Sequence, residues 1–333
     1  MPDLLEIRDL RVGFQAEGGR VAAVNGISYS VRGGEILGVV GESGSGKSVH
    51  ALSIMRLIPA PAGRIESGEI RFEERDLLSL DEDAMRAIRG KDIAMIFQDP
   101  ISSLNPVYTI GFQVIETLRL HLGMSRIGAA ERAAELLTLV GIPDAKERLR
   151  NYPHQLSGGM RQRVMIAMAI ASNPKLIIAD EPTTALDVTI QAQIVELIKR
   201  LQKELKLTVI WISHDLGIIA GLAQTVNVMY AGYIVERGPV REIYKTPCHP
   251  YTVGLLGSVP RLDEMGHGKL VSIPGRPPDM MRLASGCPFA PRCTYVEDRC
   301  FAQMPPVALA GNDAHTVRCW NWESVALGEH PHG

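Results

Sequence analysis

Gly41-Glu42-Ser43-Gly44-Ser45-Gly46-Lys47-Ser48 is a complete G-x-x-x-x-G-K-S run. An apolar strand-like stretch, Ile36–Val40, leads into it, and a helical pattern, Lys47–Leu57, leaves it. That is the context in which such a loop holds phosphate. Glycines let the backbone curl so that successive N–H groups face phosphate oxygens, and the helix N-terminus adds its positive end. Ser43, Gly44, Ser45 and Gly46 form the cradle, Lys47 reaches the β- and γ-phosphates of ATP, and Ser48 offers a hydroxyl to Mg2+.

A second stretch completes the chemistry. Leu176-Ile177-Ile178-Ala179 is apolar throughout and ends in Asp180-Glu181. Such a strand delivers Asp180 to the metal's coordination sphere, while Glu181, one residue on, polarises the attacking water. An apolar strand ending in two acids is common by itself; the phosphate loop is what gives this pair a reaction to serve.

Outward from these two stretches the first 240 residues alternate short β-branched runs with helical patterns, the mark of an α/β core. The predicted strands are Leu4–Leu10, Ile36–Val40, Ile93–Phe97, Leu176–Ala179, Val209–Ile212 and Val226–Met229; the helices are Lys47–Leu57, Met160–Ser172, Ile190–Leu205 and Leu216–Leu222. Between Gln98 and Pro153 only amphipathic helical patterns appear, at Ile110–His121 and Ala129–Val140, which predicts a helical subdomain (98–160) inserted into the core. After about residue 240 Pro and Gly become frequent, and residues 241–333 read as a small Cys-rich accessory domain. Lys and Arg number 35 and Asp and Glu 37, a net charge of −2, which excludes wrapping of nucleic acid by bulk electrostatics. No apolar run reaches the roughly 20 residues of a membrane helix, and the acidic start Met1-Pro2-Asp3 lacks the features of a secretory signal. The expectation is a cytosolic chain whose work at a membrane, if any, goes through partners.

Leu156-Ser157-Gly158-Gly159-Met160-Arg161-Gln162-Arg163 narrows the family. Its small residues open a helix whose N-terminus can face a γ-phosphate. The run resembles the signature of the ABC ATPases, and the other motifs of that family stand in order. The resemblance covers residues 4–240 and implies a P-loop NTPase cassette: a RecA-like α/β core with an antiparallel β subdomain and an inserted helical subdomain. It implies that Gln98 senses Mg2+ and the membrane partner, that Ala185-Leu186-Asp187 crosses a dimer interface, and that His214 contacts the γ-phosphate beside Glu181. Ser48, Gln98 and Asp180 are then the Mg2+ set. In this family Ser157, Gly158 and Gly159 complete the nucleotide site of a second cassette. Phe14 is the candidate to stack on adenine; a core role for it, with the register shifted by Gln15–Arg20, stays open.

Finer wording points to one branch. Phe97-Gln98-Asp99-Pro100-Ile101-Ser102-Ser103-Leu104-Asn105-Pro106, Tyr152-Pro153-His154-Gln155 before the signature, Asp180-Glu181-Pro182-Thr183-Thr184 and His249-Pro250-Tyr251-Thr252 resemble the dipeptide, oligopeptide and nickel importer ATPases, dipeptide permeases above all. That resemblance implies ATP hydrolysis coupled to peptide import at the cytoplasmic face of the membrane. The implied partners are a second ATPase subunit in a heterodimer, two transmembrane permease subunits docked near Gln98–Gly111, and an extracytoplasmic peptide-binding protein. Nickel, glutathione or longer peptides remain alternative cargoes, and an ABC ATPase without a transport duty is the reading from outside this class.

Cys287, Cys293, Cys300 and Cys319 are spaced C-x5-C-x6-C-x18-C. On spacing alone three outcomes are open: an iron–sulfur cluster, a zinc site, or four reduced thiols packing a small loop domain. The resemblance implies a [4Fe–4S] cluster held by all four, with Phe289 and Trp320 as shields. Cys248 stands outside the set.

Overall fold

The structure, a computed structural model, describes residues 3–99, 103–184, 186–258, 273–311 and 314–329. Pro100, Ile101 and Ser102 after Gln98, and Ala185 of the run expected to cross a dimer interface, lie outside them. The strands are β1 (Asp3–Ala16), β2 (Gly19–Arg32), β3 (Ile36–Val40), β4 (Gly63–Phe72), β5 (Arg75–Asp76), β6 (Ile93–Ile96), β7 (Leu176–Asp180), β8 (Thr208–Ser213), β9 (Thr225–Tyr230), β10 (Tyr233–Pro239), β11 (Ala308–Leu309) and β12 (Thr316–Val317). The α-helices are α1 (Lys47–Ile54), α2 (Glu82–Ile88), α3 (Ile110–Leu122), α4 (Arg126–Leu139), α5 (Ala145–Arg148), α6 (Gly158–Ile170), α7 (Val188–Leu205), α8 (Leu216–Leu222), α9 (Val240–Lys245), α10 (Pro250–Gly257), α11 (Asp298–Ala302) and α12 (Trp322–Leu327). They fall into two compact units.

The first unit holds Arg32–Glu35 and Ser79–Ile212. Its strands β6, β7 and β8 pair in parallel, with Ile93 opposite Leu176 and Leu176 opposite Thr208. Every residue of β7 and β8 is buried, as parallel strands covered on both faces must be. Side-chain caps start five of the helices: Asp81 accepts from Ala84 N–H, Thr109 from Phe112, Ser125 from Gly128, Ser157 from Met160 and Asp187 from Ile190. Each such cap contributes about 1 kcal/mol and fixes where its helix begins. Helices α3, α4 and α6 pack on one another, and between 103 and 153 the described residues contain no strand. Gly159, near the start of α6, is required by close packing: a Cβ there would lie 2.7 Å from Ile190 Cγ2 of α7.

The second unit holds Asp3–Val31, Ile36–Leu78 and the described residues from Ser213 onward. One of its sheets has the order β2-β1-β4-β5, with Leu5 opposite Phe72 and Ile7 opposite Ile70. Leu5, Ile7, Leu10 and Val12 turn inward along β1. The strand runs on past the predicted Leu4–Leu10 to Ala16, with a register shift between Arg8 and Arg11 and Asp9 at φ 41°. In the other sheet β3 pairs parallel to β9, and β10, β12 and β11 follow in antiparallel order. The described tail belongs to this unit, its short β11–β12 hairpin extending the edge of β10. Buried Glu236 fastens it: the carboxylate accepts from the N–H groups of Cys248 (2.6 Å) and His249 (3.0 Å) and bonds His315 Nε2 at 2.8 Å. Among the described residues no helix is long and apolar enough to cross a membrane.

Candidate functional site

In the second unit β3 runs straight into the glycine-rich loop. Gly46 sits at φ 100° ahead of α1, and a Cβ there would come within 2.4 Å of Ala23 O, so only glycine fits. Lys47 is buried, and its Nζ donates to Gly41 O at 2.8 Å and Glu42 O at 3.0 Å. Ser45 N–H donates to Glu42 O at 3.2 Å. Its Oγ is buried without a hydrogen-bond partner, an orphan that a phosphate oxygen would satisfy. Ser43 and Gly44 are exposed at the crest of the loop and Ser48 is half-buried in the first turn of α1. These features suit a polyphosphate. Phe14, half-buried near the end of β1, lies opposite Gly63 and covers it with its ring. His214 is exposed directly after β8. It does not cap α8; Asp215 does, accepting from Gly217 at 2.8 Å and Ile218 at 3.3 Å.

In the first unit β7 ends in Asp180, buried, followed by half-buried Glu181. Glu181 adopts φ 46°, a left-handed conformation costing about 1 kcal/mol outside glycine. Its N–H donates to Ile212 O at 3.0 Å. Its carboxylate accepts from Gln98 Nε2 at 3.3 Å and from Thr184 Oγ1 at 3.0 Å, both on Oε2. Gln98 is exposed just beyond β6. The structure thus brings Gln98 and Glu181 together from strand ends more than eighty residues apart. Ser157 and Gly158 are exposed at the N-terminus of α6, and Asp187, also exposed, caps α7.

Cys287, Cys293, Cys300 and Cys319 are all free thiols. Burial pushes Cys287 up to about 11 and Cys293 and Cys319 up to about 12. The neighbouring thiol of Cys300 adds to the upward shift of each of the other three. Peptide groups turn toward them: Tyr295 N–H donates to Cys293 Sγ at 3.3 Å, and the backbone at Phe289 and at Asn321 bonds Cys287 and Cys319. Thiols that receive N–H···S bonds are the type of donor that an iron–sulfur cubane takes. Phe289 is buried among Tyr230, Tyr251 and His249, while Trp320 carries Arg299 over its ring. Cys248 is held apart, its Sγ donating to Thr246 O at 3.4 Å.

Two residues touch the phosphate loop from the tail side, Tyr251 and Arg292, and no local pattern in the sequence signals that contact. Tyr251 Oη accepts from Glu42 N–H at 2.7 Å, and Arg292 pairs with the Glu42 carboxylate. Their partner lies some two hundred residues upstream, beyond the reach of any local pattern.

Comparison with known proteins agrees with the motifs. Residues 24–184 match the family model described as ABC transporter, and residues 235–300 match the oligopeptide/dipeptide transporter C-terminal region. The chain is 53% identical to the oligopeptide transport ATP-binding protein OppD of Bacillus subtilis, covering 95% of this chain and 88% of that one. It is 50% identical to the dipeptide transport ATP-binding protein DppD of the same organism, over 96% of this chain and 95% of that one. Among solved structures, the ATP-binding cassette MJ0796, a post-hydrolysis dimer bound to ADP and Pi, aligns with a TM-score of 0.64 at 28% identity, over 71% of this chain and 99% of that one.

Proposed function

Because this chain belongs to the ABC transporter ATPases, of the kind that ends in an oligopeptide/dipeptide transporter region, we propose that it is the motor subunit of a peptide importer, the D-type ATPase of a dipeptide or oligopeptide permease. The observation that carries the cargo class is the family match running on through residues 235–300. The cassette match carries no cargo in its description, whereas this region is described as that of an oligopeptide/dipeptide transporter.

In this reading ATP is cradled by Ser43–Ser48, with Lys47 on the β- and γ-phosphates and Phe14 against the adenine. Ser48, Asp180 and Gln98 supply hard oxygen donors suited to Mg2+, directly or through water; the ion, when bound, neutralises charge on the phosphates. Glu181, its Oε2 held by Gln98 and Thr184, orients water for in-line attack, and His214 holds the γ-phosphate side. Ser157, Gly158 and Gly159 serve the nucleotide of a second cassette, and Asp187 marks the crossing between the two. Binding of two ATPs closes the pair; hydrolysis reopens it.

Coupling to the membrane is assigned to the exposed apolar surface after Gln98. Val107 is 70% exposed, Tyr108 46% and Phe112 48%, and the two rings stack at 4.5 Å. Exposed apolar groups clustered in this way mark a protein contact, here with two transmembrane permease subunits. The remaining partners in this reading are a second ATPase and an extracytoplasmic peptide-binding protein, with the chain peripheral to the cytoplasmic face. Cys287, Cys293, Cys300 and Cys319 would hold a [4Fe–4S] cluster, whose iron supplies the positive charge that buried thiolates require. Anaerobic purification with iron and sulfide analysis checks this: four of each per chain is expected, and a zinc-loaded or metal-free protein contradicts it.

Reconstitution tests the whole. The chain, with its second ATPase, permeases and binding protein in proteoliposomes, is expected to accumulate labelled di- or oligopeptide only with ATP. Uptake of nickel or glutathione instead would reassign the cargo, and ATP hydrolysis with no dependence on the permeases would favour a non-transport role.

A further inference from the structure

Glu42 is the second residue of the phosphate loop, and every polar group it owns is engaged. Its N–H donates to Tyr251 Oη at 2.7 Å. Its carbonyl accepts from Lys47 Nζ at 3.0 Å and from Ser45 N–H at 3.2 Å. Its carboxylate receives both arms of Arg292, Nη1 to Oε2 at 2.7 Å and Nη2 to Oε1 at 3.0 Å. Two of these three attachments come from beyond residue 250, and Arg292 is the residue immediately before Cys293.

Arg292 is itself fixed. Nε donates to Pro274 O at 2.8 Å and Nη1 also reaches Tyr230 Oη at 3.2 Å. The guanidinium lies 5.8 Å from the ring centroids of both Tyr230 and Phe289. Tyr230, Tyr251 and Phe289 pack together at centroid distances of 4.6–5.4 Å. The Arg292 side chain is only 5% exposed, so this is no mobile surface pair.

The charge balance gives the pair a purpose. A loop that takes a triphosphate carries a carboxylate one residue from its crest, and an unpaired negative charge there opposes a polyanion. The bidentate arginine neutralises that charge, while leaving the Glu42 carbonyl for Lys47. We propose that Arg292 is a positioning residue of the nucleotide site, neutralising Glu42 so that the phosphate loop accepts ATP, and that the tail is thereby a working part of that site. This rests on the reading of residues 41–48 as the ATP loop.

The test is nucleotide affinity of the full-length chain with Mg2+, measured by competition against a fluorescent ATP analogue. Arg292→Gln is expected to weaken ATP about tenfold and ADP less, since the penalty grows with phosphate charge. The double variant Glu42→Gln/Arg292→Gln, with the offending charge removed, is expected to regain affinity within about threefold of wild type. A purely structural role would leave the double variant as weak as the single one, and that result overturns the proposal. So does a folded Arg292→Gln that binds ATP as wild type does. Should glutamine not be tolerated, Arg292→Lys keeps the charge and loses the fork: affinity within about threefold of wild type supports neutralisation, and affinity as poor as that of Lys47→Ala overturns it. Wild type and Lys47→Ala binding ATP equally would instead sink the reading of the loop itself.

Discussion

Glu181 stands at φ 46° with one carboxylate oxygen tied to Gln98 and Thr184. That combination explains why a residue would keep a strained backbone: the left-handed turn aims the side chain, and two neutral donors hold its orientation without taking its charge. Glu181→Gln keeps the shape and removes the carboxylate that orients water in the proposed mechanism. Phosphate release by the assembled transporter is expected to fall about 10²- to 10⁴-fold, with ATP affinity unchanged; brisk steady-state turnover by this variant would remove Glu181 from the role. Residues such as Gln98, Asp180 and Glu181 are legible in sequence because each follows an apolar strand that announces it. Phe14 is less so, since an aromatic at a strand end looks the same whether it covers a core glycine, as it covers Gly63 here, or a base. Arg292 is not legible at all; its meaning comes from a carboxylate 250 positions away.

Helix α10 shows how an element can couple chemistry to fold. His249 is its N-cap, and the ring Nδ1 accepts from Tyr251 N–H at 3.0 Å, which only an unprotonated nitrogen can do. Burial pushes the imidazole down to about 3, against about 6.5 in an unfolded chain. The unfolded state therefore takes the proton first, and His249 withdraws stability as pH falls from about 6.5 toward 3, by roughly 1.4 kcal/mol per unit. His249→Asn, which keeps an acceptor cap, is expected to flatten that slope in urea unfolding followed from pH 6.5 to 4.5; an unchanged slope would show that His249 is protonated in the native protein. Among the strands, β3, β7 and β8 read plainly as unbroken apolar runs, while β2, β4 and β10 do not. β2 carries Asn25, Gly26, Ser28 and Ser30, and β4 carries Gly63, Glu66, Ser67 and Gly68. Glycine and polar residues in such strands imitate turns. What makes them strands is pairing, as between β1 and β4, and local propensity does not encode that.

At the scale of the molecule, the phosphate loop, His214 and the cysteine tail belong to one compact unit, and Asp180, Glu181, Gln98 and the signature helix to the other. The proposed mechanism assigns hydrolysis roles to residues of each, and to the Ser157-Gly158-Gly159 cap of a second cassette. Ser157 and Gly158 are exposed at the start of α6, where peptide N–H groups can meet a phosphate. The most direct measurement is ATP hydrolysis by the fully assembled transporter after Ser157→Arg, with the matching serine of the second cassette replaced as well. The account predicts that turnover falls to background while each folded chain still binds ATP. Undiminished hydrolysis would contradict it.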